Sequence, residues 1–407
     1  MLSNISLKEA FEVSLDNISP LNLTKTVSLY EALGYFLAED IKSKRNSPPF
    51  TNSAMDGFAF KHSPNKKLKI IKTIFAGDKY ENFEIKDDEC VKIMTGARVP
   101  EGCDTVIPIE KCINVTEKYI EIPEIKKGAN VRMFGEEIKR GEILLKKGEE
   151  ITPGILALLA SQGIFFIKVF LKPKIAILSS GNELKEPWEK ADEEEIYNVN
   201  SHAIKALLQN KGFEADILGI IPDSYEKTLE FIKKLKRYEV IITSGGIGFG
   251  DADFIFKAFK EEGLKEFFHG IMVKPGRPTM IGKMKNTYVF AMPGNPISSY
   301  LNTFTIAIPA LRKLSGAKKY YYNFVYAKNK EEFKVNSKKA HTALGVLKYG
   351  EWEVYKKYKY GSSMLSALAK SNSLLVLNEG KEIIPKGEIL KIIPFDIDFM
   401  EKNLFFN

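Results

Sequence analysis

The sequence predicts a multidomain protein in which a doubly wound α/β domain is combined with β domains and a helical-rich N-terminal segment. The chain has 407 residues, and a single hydrophobic core rarely grows beyond ~250–300 residues. Strand and helix patterns alternate over residues 173–312, which is typical of parallel strands joined by right-handed helical crossovers. Short β-rich runs separated by turn residues occupy residues 46–124 and 320–407. Together these observations indicate an α/β plus β fold class.

Helix-start signals mark the N-terminal segment. Ser6 with Glu9, and Ser28 with Glu31, have the spacing of a capping box, in which a hydroxyl and a carboxylate satisfy free amides at a helix start. Two helices are therefore predicted in the first 45 residues. A further helix is predicted over residues 152–163, because a threonine N-cap and a proline open this stretch and a glycine closes it.

The β-rich stretch thus lies between two helical pieces and is predicted to be an inserted module. Its strands are expected over residues 68–74, 90–94 and 105–109. The predicted domains are a helical-rich segment of residues 1–45 and 125–172, the β module of residues 46–124, the α/β domain of residues 173–317 and a C-terminal β domain of residues 318–407.

Within the α/β domain, strands and helices are predicted in a fixed order. Strands are expected over residues 174–178, 215–221, 239–243 and 287–291, and helices over residues 201–211, 224–235, 252–262 and 297–314. The C-terminal strands are expected over residues 321–327, 352–355, 374–377 and 389–393.

Composition limits the classes of function. Hydrophobic residues make up 44% and charged residues 28% of the chain, as in globular proteins. No apolar run approaches the ~20 residues of a membrane span, and we expect a cytoplasmic protein without a signal peptide. Cys90, Cys103 and Cys112 are expected to be reduced thiols, because they lack both disulfide and zinc-site spacing. The four histidines are scattered, which argues against a zinc or histidine-dependent triad enzyme.

The net charge is unevenly distributed. The chain carries +8, and residues 318–407 hold 16 Lys against 10 Asp and Glu, a surplus of +6. These lysines are spread over the whole domain without arginine or an aromatic-interleaved basic ribbon. We therefore predict no nucleic-acid partner.

Four loops at the carboxyl ends of the predicted strands are rich in glycine, serine and acidic residues. They cover residues 179–183, 222–223, 244–253 and 293–296. Carboxyl ends of parallel strands share one edge of a sheet, where open α/β sheets bind their ligands. Glycines let backbone amides approach an anion, and a helix N-terminus adds partial positive charge. The glycine-rich loop therefore suits a phosphate, although a tight strand-to-helix turn explains it equally well when it is taken alone.

Four carboxylates accompany these loops: Glu183, Asp223, Asp251 and Asp253. Each one singly is more typical of a helix N-cap or a solvated loop. Carboxylates beside a bound anion would repel it unless a cation lies between them, and Mg²⁺ prefers such oxygen ligands. The set therefore predicts a metal–phosphate site.

Two loops of the β module carry a different composition. Residues 47–57 contain Pro48-Pro49, which forces an extended backbone, and Asp56-Gly57, which favours a tight turn. Residues 94–102 are similarly rich in turn residues. Composition alone predicts only structural turns here.

Taken together, these motifs resemble one family: the molybdopterin molybdenumtransferases of the bacterial MoeA type, which are related to the E domains of gephyrin and of its plant counterpart. The resemblance spans essentially the whole chain. It is carried by residues 48–57, 94–102, 130–137, 179–184, 200–201, 244–253, 274–278 and 293–296.

The resemblance implies an elongated homodimer, with an active cleft between the α/β domain of one subunit and the β module of the other. It implies a Mg²⁺-dependent reaction in which adenylyl-molybdopterin and molybdate yield molybdenum cofactor and AMP. It also implies contact with the molybdopterin adenylyltransferase that makes the substrate.

The resemblance further implies roles for individual residues. Catalytic roles fall to Asp56, Thr95, Glu183 and Asp223, and metal binding falls to Glu183 and Asp253. Substrate binding falls to Ser53, Gly245, Gly246, Gly248, Gly250, Asp251, Lys274, Pro275, Gly276, Arg277, Pro293, Gly294, Asn295 and Pro296.

Three positions depart from the pattern: Gly248 stands where the family usually has serine, and Glu137 and Asn182 stand where aspartate is common. Two other functions stay open. A molybdopterin adenylyltransferase would share the α/β domain but usually consists of that domain alone. A non-catalytic scaffold, like the gephyrin relative, would not need Asp56, Glu183 and Asp253.

Overall fold

A seven-stranded mixed sheet forms the centre of the molecule. The computed structural model describes residues 2–221, 224–246 and 254–396. The strands lie in the order Leu2–Ile5, Leu264–Ile271, Met280–Met284, Thr287–Met292, Val240–Ser244, Ile175–Ser180 and Ala215–Ile221. The last four strands of this order are mutually parallel, as predicted.

The sheet is mixed, because Met280–Met284, a strand that was not predicted, pairs antiparallel with both of its neighbours. The strand that follows it is reached across only Lys285 and Asn286, and Lys285 has a φ of +54°. Two residues can close a hairpin, whereas a parallel crossover needs a dozen or more. The sequence prediction missed Leu2–Ile5, Leu264–Ile271 and Met280–Met284.

Helices cover both faces of this sheet, so it is doubly wound as predicted. Ile175 and Ile177 pack into the hydrophobic core on one face, and Ala176 and Leu178 pack into the core on the other. The alternation follows from the strand period of two. The helices of this region are Val199–Asn210, Tyr225–Lys233 with its 3₁₀ extension Lys234–Arg237, Phe254–Glu261, Pro296–Asn302 and Ile308–Leu314.

The last predicted helix, residues 297–314, contains an irregular turn. A π-helical turn at Thr303–Ala307 joins the two α-helices. Pro309 lies just beyond this turn, at the start of Ile308–Leu314. Because proline has no backbone N–H and its ring clashes with the preceding turn, a regular α-helix cannot continue through it.

In the N-terminal segment, one of the two predicted helices is present. The helix Leu7–Asp16 has Ser6 as its N-cap, and the capping box between Ser6 and Glu9 is complete. The second prediction is wrong: the Ser28 hydroxyl does bond to Glu31 at 2.9 Å, but it closes a turn after a strand. That strand, Thr24–Ser28, pairs with Phe166–Phe170, and this tertiary pairing overrides the local helix signal. The helix predicted from residue 152 is present as Pro153–Ser161.

The β module contains a six-stranded sheet, and its three predicted strands are present. The order is Thr105–Pro108, Gly57–Phe60, Glu89–Ile93, Lys67–Ile74, Tyr119–Glu121 and Asn114–Val115, with a 3₁₀ turn at Ile109–Lys111. The short strand Asn52–Ser53 pairs with Val131–Arg132 and thereby holds the 47–57 loop against the 130–137 loop.

The C-terminal region is a five-stranded barrel. Its strands run Ala340–Lys348, Glu351–Val354, Val325–Asn329, Ile389–Pro394 and Ser373–Leu377, and the last pairs back with the first. Val273–Lys274 of the central region adds to Ala340–Lys348 as an outer strand. This pairing joins the loop at residues 274–278 to the C-terminal barrel.

The remaining regular elements are short. They are the strand pairs Ile41–Lys42 with Ile143–Leu145, Leu184–Lys185 with Ile196–Tyr197, and Phe333–Lys334 with Ile383–Ile384, the helix Leu365–Ala369 and the turn Tyr355–Tyr358.

Candidate active site

Three of the predicted loops meet at one edge of the central sheet, as the sequence predicted. Ser179, Ser244 and Met292 lie in register near the carboxyl ends of three neighbouring parallel strands. A Cβ atom built on Gly246 would lie 2.7 Å from the Oγ atom of Ser180. Gly246 also has a φ of +65°, so glycine is favoured where the first two turns approach each other.

Asn200 ties the second and third turns together. Its Nδ2 atom donates to Ser244 Oγ at 2.7 Å and to the Gly294 carbonyl at 2.6 Å, while Ser244 Oγ donates to the Pro293 carbonyl at 3.2 Å. Among the described residues, the buried Asn200 Oδ1 atom has no hydrogen-bond partner. The two hydrogen bonds from Nδ2 thus fix the second and third turns against each other.

A helix N-terminus points to the same edge. Asn198 caps Val199–Asn210 by accepting from the Ser201 amide at 3.3 Å. It also accepts from Ser179 Oγ at 2.9 Å, and its amide donates to the buried carboxylate of Glu186 at 3.1 Å. The partial positive charge of the helix start is thereby fixed beside the strand ends, where it favours an anion.

Glu183 lies exposed at the mouth of the first turn, and its carboxylate folds back over Gly181. A Cβ atom at Gly181 would meet the two carboxylate oxygens of Glu183 at 2.6 and 2.7 Å, and Gly181 has a φ of +144°. Only glycine fits here. The backbone of Glu183 is held by the Ile196 amide, which donates to its carbonyl at 2.8 Å.

Several predicted residues lie outside the part of the chain that the structure describes: Asp223, Gly248, Gly250, Asp251 and Asp253. Across residues 2–221, 224–246 and 254–396, no three His, Cys, Asp or Glu side chains form a group suited to a metal ion. Glu183 is therefore the described member of the predicted metal-binding pair.

The loop at residues 274–278 is fixed from two directions within the central region. Asn302 Nδ2 donates to the Gly276 carbonyl at 2.9 Å, and Arg277 Nε donates to Asn4 Oδ1 at 3.1 Å. The N-terminal strand thus fixes the Arg277 side chain, and the helix Pro296–Asn302 fixes the loop backbone at Gly276.

The C-terminal barrel holds this loop from a third direction. Tyr358 donates through its hydroxyl to the Lys274 carbonyl at 3.3 Å and lies 2.7 Å from the Nδ1 atom of His341. Burial lowers the pKa of His341 below its usual 6.5. Lys356, Lys357 and Tyr358 all have positive φ, at 45°, 53° and 63°. Such a run of non-glycine residues is strained, and it aims Tyr358 at the loop.

A cleft of about 1000 Å³ opens between the central region and the barrel. Pro275, Gly276, Pro293 and Asn295 line it from the central region. Its charged lining consists of Lys274, Arg277, Lys334, Lys338 and Lys339 against the single carboxylate Glu382. The cleft is therefore strongly cationic and suits an oxyanion.

Sequence reasoning missed several residues of this cleft. Lys334, Lys338 and Lys339 belong to the C-terminal surplus of positive charge, which is visible in the sequence. Their convergence on Lys274 is not visible there, because about 60 residues separate them along the chain. Tyr358 carried no sequence signal.

In the β module, Asp56 and Thr95 form a local pair. The Asp56 Oδ1 atom accepts from the Thr95 amide and from the Thr95 hydroxyl, both at 2.7 Å. These two hydrogen bonds, the backbone one first, lower the pKa of Asp56. Ser53 is buried, and its hydroxyl donates to the Met55 carbonyl at 2.6 Å. Asp56 is thus presented as an exposed, ionised carboxylate.

The two sets of residues lie in different regions of the chain. In the described ranges, the Asp56 carboxylate bonds to Thr95 of its own β module. The candidate site consists of a carboxylate half in the β module and a turn-and-cleft half in the central region. No helix in the described part of the chain is long and apolar enough to cross a membrane.

This fold and site define a multidomain α/β protein whose central sheet ends in glycine-rich turns that suit an anionic ligand. Three family models match it: "MoeA N-terminal region (domain I and II)" at residues 5–163, "Probable molybdopterin binding domain" at residues 176–313 and "MoeA C-terminal region (domain IV)" at residues 326–395.

Full-length relatives agree with these matches. The chain is 33% identical to the molybdopterin molybdenumtransferase of Haemophilus influenzae, covering 96% of this chain and 99% of the relative. It is 30% identical to that of Staphylococcus epidermidis, covering 98% of both. It is also similar to the crystal structure of the molybdopterin biosynthesis moeA protein of Pyrococcus horikoshii, with a TM-score of 0.83, 30% identity and coverage of 96% and 100%. The chain belongs to the MoeA family of molybdopterin molybdenumtransferases.

Proposed function

We propose that this chain transfers molybdenum from molybdate to adenylyl-molybdopterin and releases AMP. The observation that carries the proposal is the convergence of the turns at Gly181, Gly246 and Gly294 beside a cleft with five cationic side chains. The turns suit the phosphates of a nucleotide-linked substrate, and the cleft suits a second, separate oxyanion. The printed name of the full-length relatives supports the same activity.

The strand-end turns would hold the phosphoanhydride that breaks. Their backbone amides and the helix start at Asn198 place positive potential on phosphate oxygens. Asn200 would keep two of these turns together through its bonds to Ser244 and Gly294. The cationic cleft would hold molybdate beside this site through Lys274 and Arg277. Three lysines of the C-terminal region, called the barrel lysines below, would assist: Lys334, Lys338 and Lys339.

Mg²⁺ is the cofactor that we propose. The Glu183 carboxylate fits it, because this oxygen ligand is exposed at the mouth of the phosphate-binding turns and Mg²⁺ needs only one or two carboxylates besides water and substrate oxygens. Bound there with Asp253, the ion would neutralise charge on the phosphate oxygens. Glu183→Gln should then weaken Mg²⁺-dependent substrate binding and leave the fold intact.

The second half of the site would come from another copy of the chain. Asp56 and Thr95 are presented outward by the β module, and no bond in the described residues ties them to their own strand-end turns. An exposed aromatic cluster supports a homodimer: Tyr30 is 88% exposed and Phe166 65% exposed, and Phe165 packs edge-on against both. Exposed apolar patches of this kind mark association surfaces.

Separate hydrophobic cores in the N-terminal, β-module and C-terminal regions support the four predicted domains, and limited proteolysis at residues 45, 124, 172 and 317 tests their boundaries. Burial raises the pKa of Cys90 and Cys103 to about 12. Such inert free thiols are compatible with the predicted cytoplasmic location, which cell fractionation tests.

Reconstitution from purified components tests the function. Adenylyl-molybdopterin, Mg²⁺ and micromolar molybdate should yield molybdenum cofactor and an equal amount of AMP. AMP formation no faster than without protein would contradict the proposal. Adenylylation of molybdopterin from ATP in the absence of molybdate would instead identify an adenylyltransferase.

A further inference from the structure

A second pocket lies between the β module and the loop at residues 131–134, apart from the strand-end turns and the cationic cleft. Its volume is about 490 Å³, within the range of small-molecule sites. Three separate loops build it, namely residues 49–51, 98–104 and 131–134. Hydrogen bonds between loops fix them: the Phe134 amide donates to Thr51 Oγ1 at 3.2 Å, and the Val99 amide donates to the Thr51 carbonyl at 3.0 Å.

The pocket has aromatic and apolar walls that remain open to solvent. Phe134 is 58% exposed and Met133 57% exposed, and Phe50, on another of the three loops, also lines the pocket. Large exposed apolar side chains around a concavity are typical of a binding site. Aromatic rings present flat faces that suit a planar heterocycle.

The polar lining consists of one guanidinium and one accessible carboxylate. The guanidinium of Arg98 lies 3.8 Å from the ring centroid of Tyr80 and 6.0 Å from that of Phe50, so the aromatic rings hold it at the wall. Asp104 is occupied, because it accepts from the His62 amide and pairs with Lys127. Within the described residues, the exposed Glu101 carboxylate has no hydrogen bond or ion pair.

This combination matches the pyrimidine edge of a pterin. That edge carries two adjacent N–H donors, which one carboxylate can accept together, and a carbonyl to which a guanidinium can donate. Adenine has no carbonyl and only one amino group on its corresponding edge. Glu101 and Arg98 together therefore favour the pterin over the adenine of a nucleotide-linked pterin substrate.

The pocket is close to the Asp56–Thr95 pair. Thr95 and Arg98 are three residues apart on one loop, so their Cα atoms are at most about 11 Å apart. The Ser53 amide donates to the Ala97 carbonyl at 3.0 Å, which fixes the connection between the two sites. A substrate that extends from Asp56 can therefore reach the pocket.

We propose that this pocket binds the pterin ring of the substrate, with Phe50 and Phe134 against its faces and with Glu101 and Arg98 on its pyrimidine edge. The proposal rests on the proposed function, since it names the subsite for the organic part of that substrate. The phosphates lie at the strand-end turns of one subunit and the pterin lies in the β module of its partner.

Fluorescence titration of free pterin into the full-length protein tests the subsite without using catalysis. Arg98→Ala, Glu101→Gln and Phe134→Ala should each raise the dissociation constant about tenfold, the scale of a lost stacking or bidentate contact. Tyr119→Ala is the matched control, because this 42% exposed aromatic lies in the same module away from the pocket, and it should leave pterin binding unchanged. AMP should displace pterin poorly.

The outcomes separate this subsite from the proposed function. Unchanged pterin affinity in all three variants, no pterin binding to the wild type, or equal displacement by AMP would overturn the subsite. If the wild type binds pterin with the expected variant pattern but releases no AMP from adenylyl-molybdopterin, the subsite stands and the proposed reaction fails. Because Phe134 is mostly exposed, its truncation leaves no buried cavity, and a thermal melt checks that each variant folds.

Discussion

The two halves of the candidate site are stabilised in different ways. In the β module, Asp56 is fixed by two hydrogen bonds from Thr95, and its loop is held by the strand pair Asn52–Ser53 with Val131–Arg132. In the other half, the loop at residues 274–278 is held by Asn4, Asn302 and Tyr358, which lie far apart along the chain. The first half is built from loops close in sequence, whereas the cleft half exists only when distant parts of the chain dock.

The halves also differ in charge. Asp56 is an exposed carboxylate whose pKa is lowered, first by the Thr95 amide and then by the Thr95 hydroxyl. The cleft presents five cations and one carboxylate. Loss of Asp56 should therefore remove the contribution of the first half to activity. Loss of one cation from the cleft should have a smaller effect, because several other charges remain there.

The largest expected loss of activity comes from removing the carboxylate of either half in a single variant. Asp56→Ala and Glu183→Ala should each lose AMP release by about 100-fold or more, the scale of losing a positioned charge. If the halves come from different subunits, mixing the two inactive variants should restore about a quarter of wild-type activity, because about half of randomly exchanged twofold dimers are mixed and each has one intact cleft.

Subunit exchange must be shown independently, for example by mixing differently tagged chains. Exchange without recovered AMP release would place Asp56 and Glu183 in the same chain's site. Asp87→Ala is a suitable control, since this exposed carboxylate of the same module pairs with Lys61.

The next effect tests how the local pair works. Thr95→Val removes the hydroxyl bond to Asp56 and keeps the backbone amide bond, so turnover should fall by about tenfold, and Thr95→Ser should preserve activity. Because the lost bond favours the ionised form, the pKa of Asp56 should rise in the valine variant. The acidic limb of the pH–rate profile should then move to higher pH. If the acidic limb does not move, the protonation of Asp56 does not limit activity at low pH.

How far the sequence predicts the fold depends on whether the signal is local. The Ser6–Glu9 box starts a helix, whereas the equally spaced Ser28–Glu31 box does not, because residues 24–28 pair with a strand about 140 residues later. Capping spacing cannot report such a partner. The antiparallel strand Met280–Met284 was missed for the same reason, since its partners are set by tertiary pairing and not by its own composition.

The candidate site likewise has a part that the sequence predicts and a part that only tertiary pairing sets. The meeting of the strand-end turns follows from strand order, so the sequence predicts that Ser180, Ser244 and Met292 end at one edge. The barrel lysines and Tyr358 reach Lys274 only through the pairing of Val273–Lys274 with the C-terminal barrel. Nothing in their own segments specifies that contact.

Substitution of a single barrel lysine should reduce activity less than the loss of Asp56 does. Lys334→Ala, Lys338→Ala and Lys339→Ala should each raise the KM for molybdate about three- to fivefold and leave kcat nearly constant, because exposed charges act through screened attraction. The effect should shrink at high salt. Lys370→Ala, in the same region outside the cleft, should change neither constant. A fall in kcat with constant KM would mean that the lysines do not hold molybdate.

Tyr358→Phe should have a smaller effect through the loop that it holds. Loss of the hydroxyl removes bonds to the Lys274 carbonyl and His341, and a neutral hydrogen bond corresponds to about a threefold change in affinity or more. We expect the KM for molybdate to rise by about that factor with kcat unchanged. Loss of turnover at saturating molybdate would show instead that the barrel acts on the chemistry.

The smallest expected effect is on stability against pH. Burial keeps the pKa of folded His341 below the 6.5 of an exposed histidine, so below pH 6.5 the unfolded chain takes up a proton that the folded barrel refuses. The stabilising contribution of the neutral ring is complete above pH 6.5 and is lost as the pH falls through the window below it. Thermal melts between pH 7.5 and pH 5 should show a decline in midpoint that is smaller in His341→Gln. The same substitution at the exposed His62 should leave the decline unchanged. If the midpoint falls equally in wild type and His341→Gln, groups other than His341 cause the loss of stability at low pH. The hydrogen bond between His341 and Tyr358 at the barrel would then have no part in that loss.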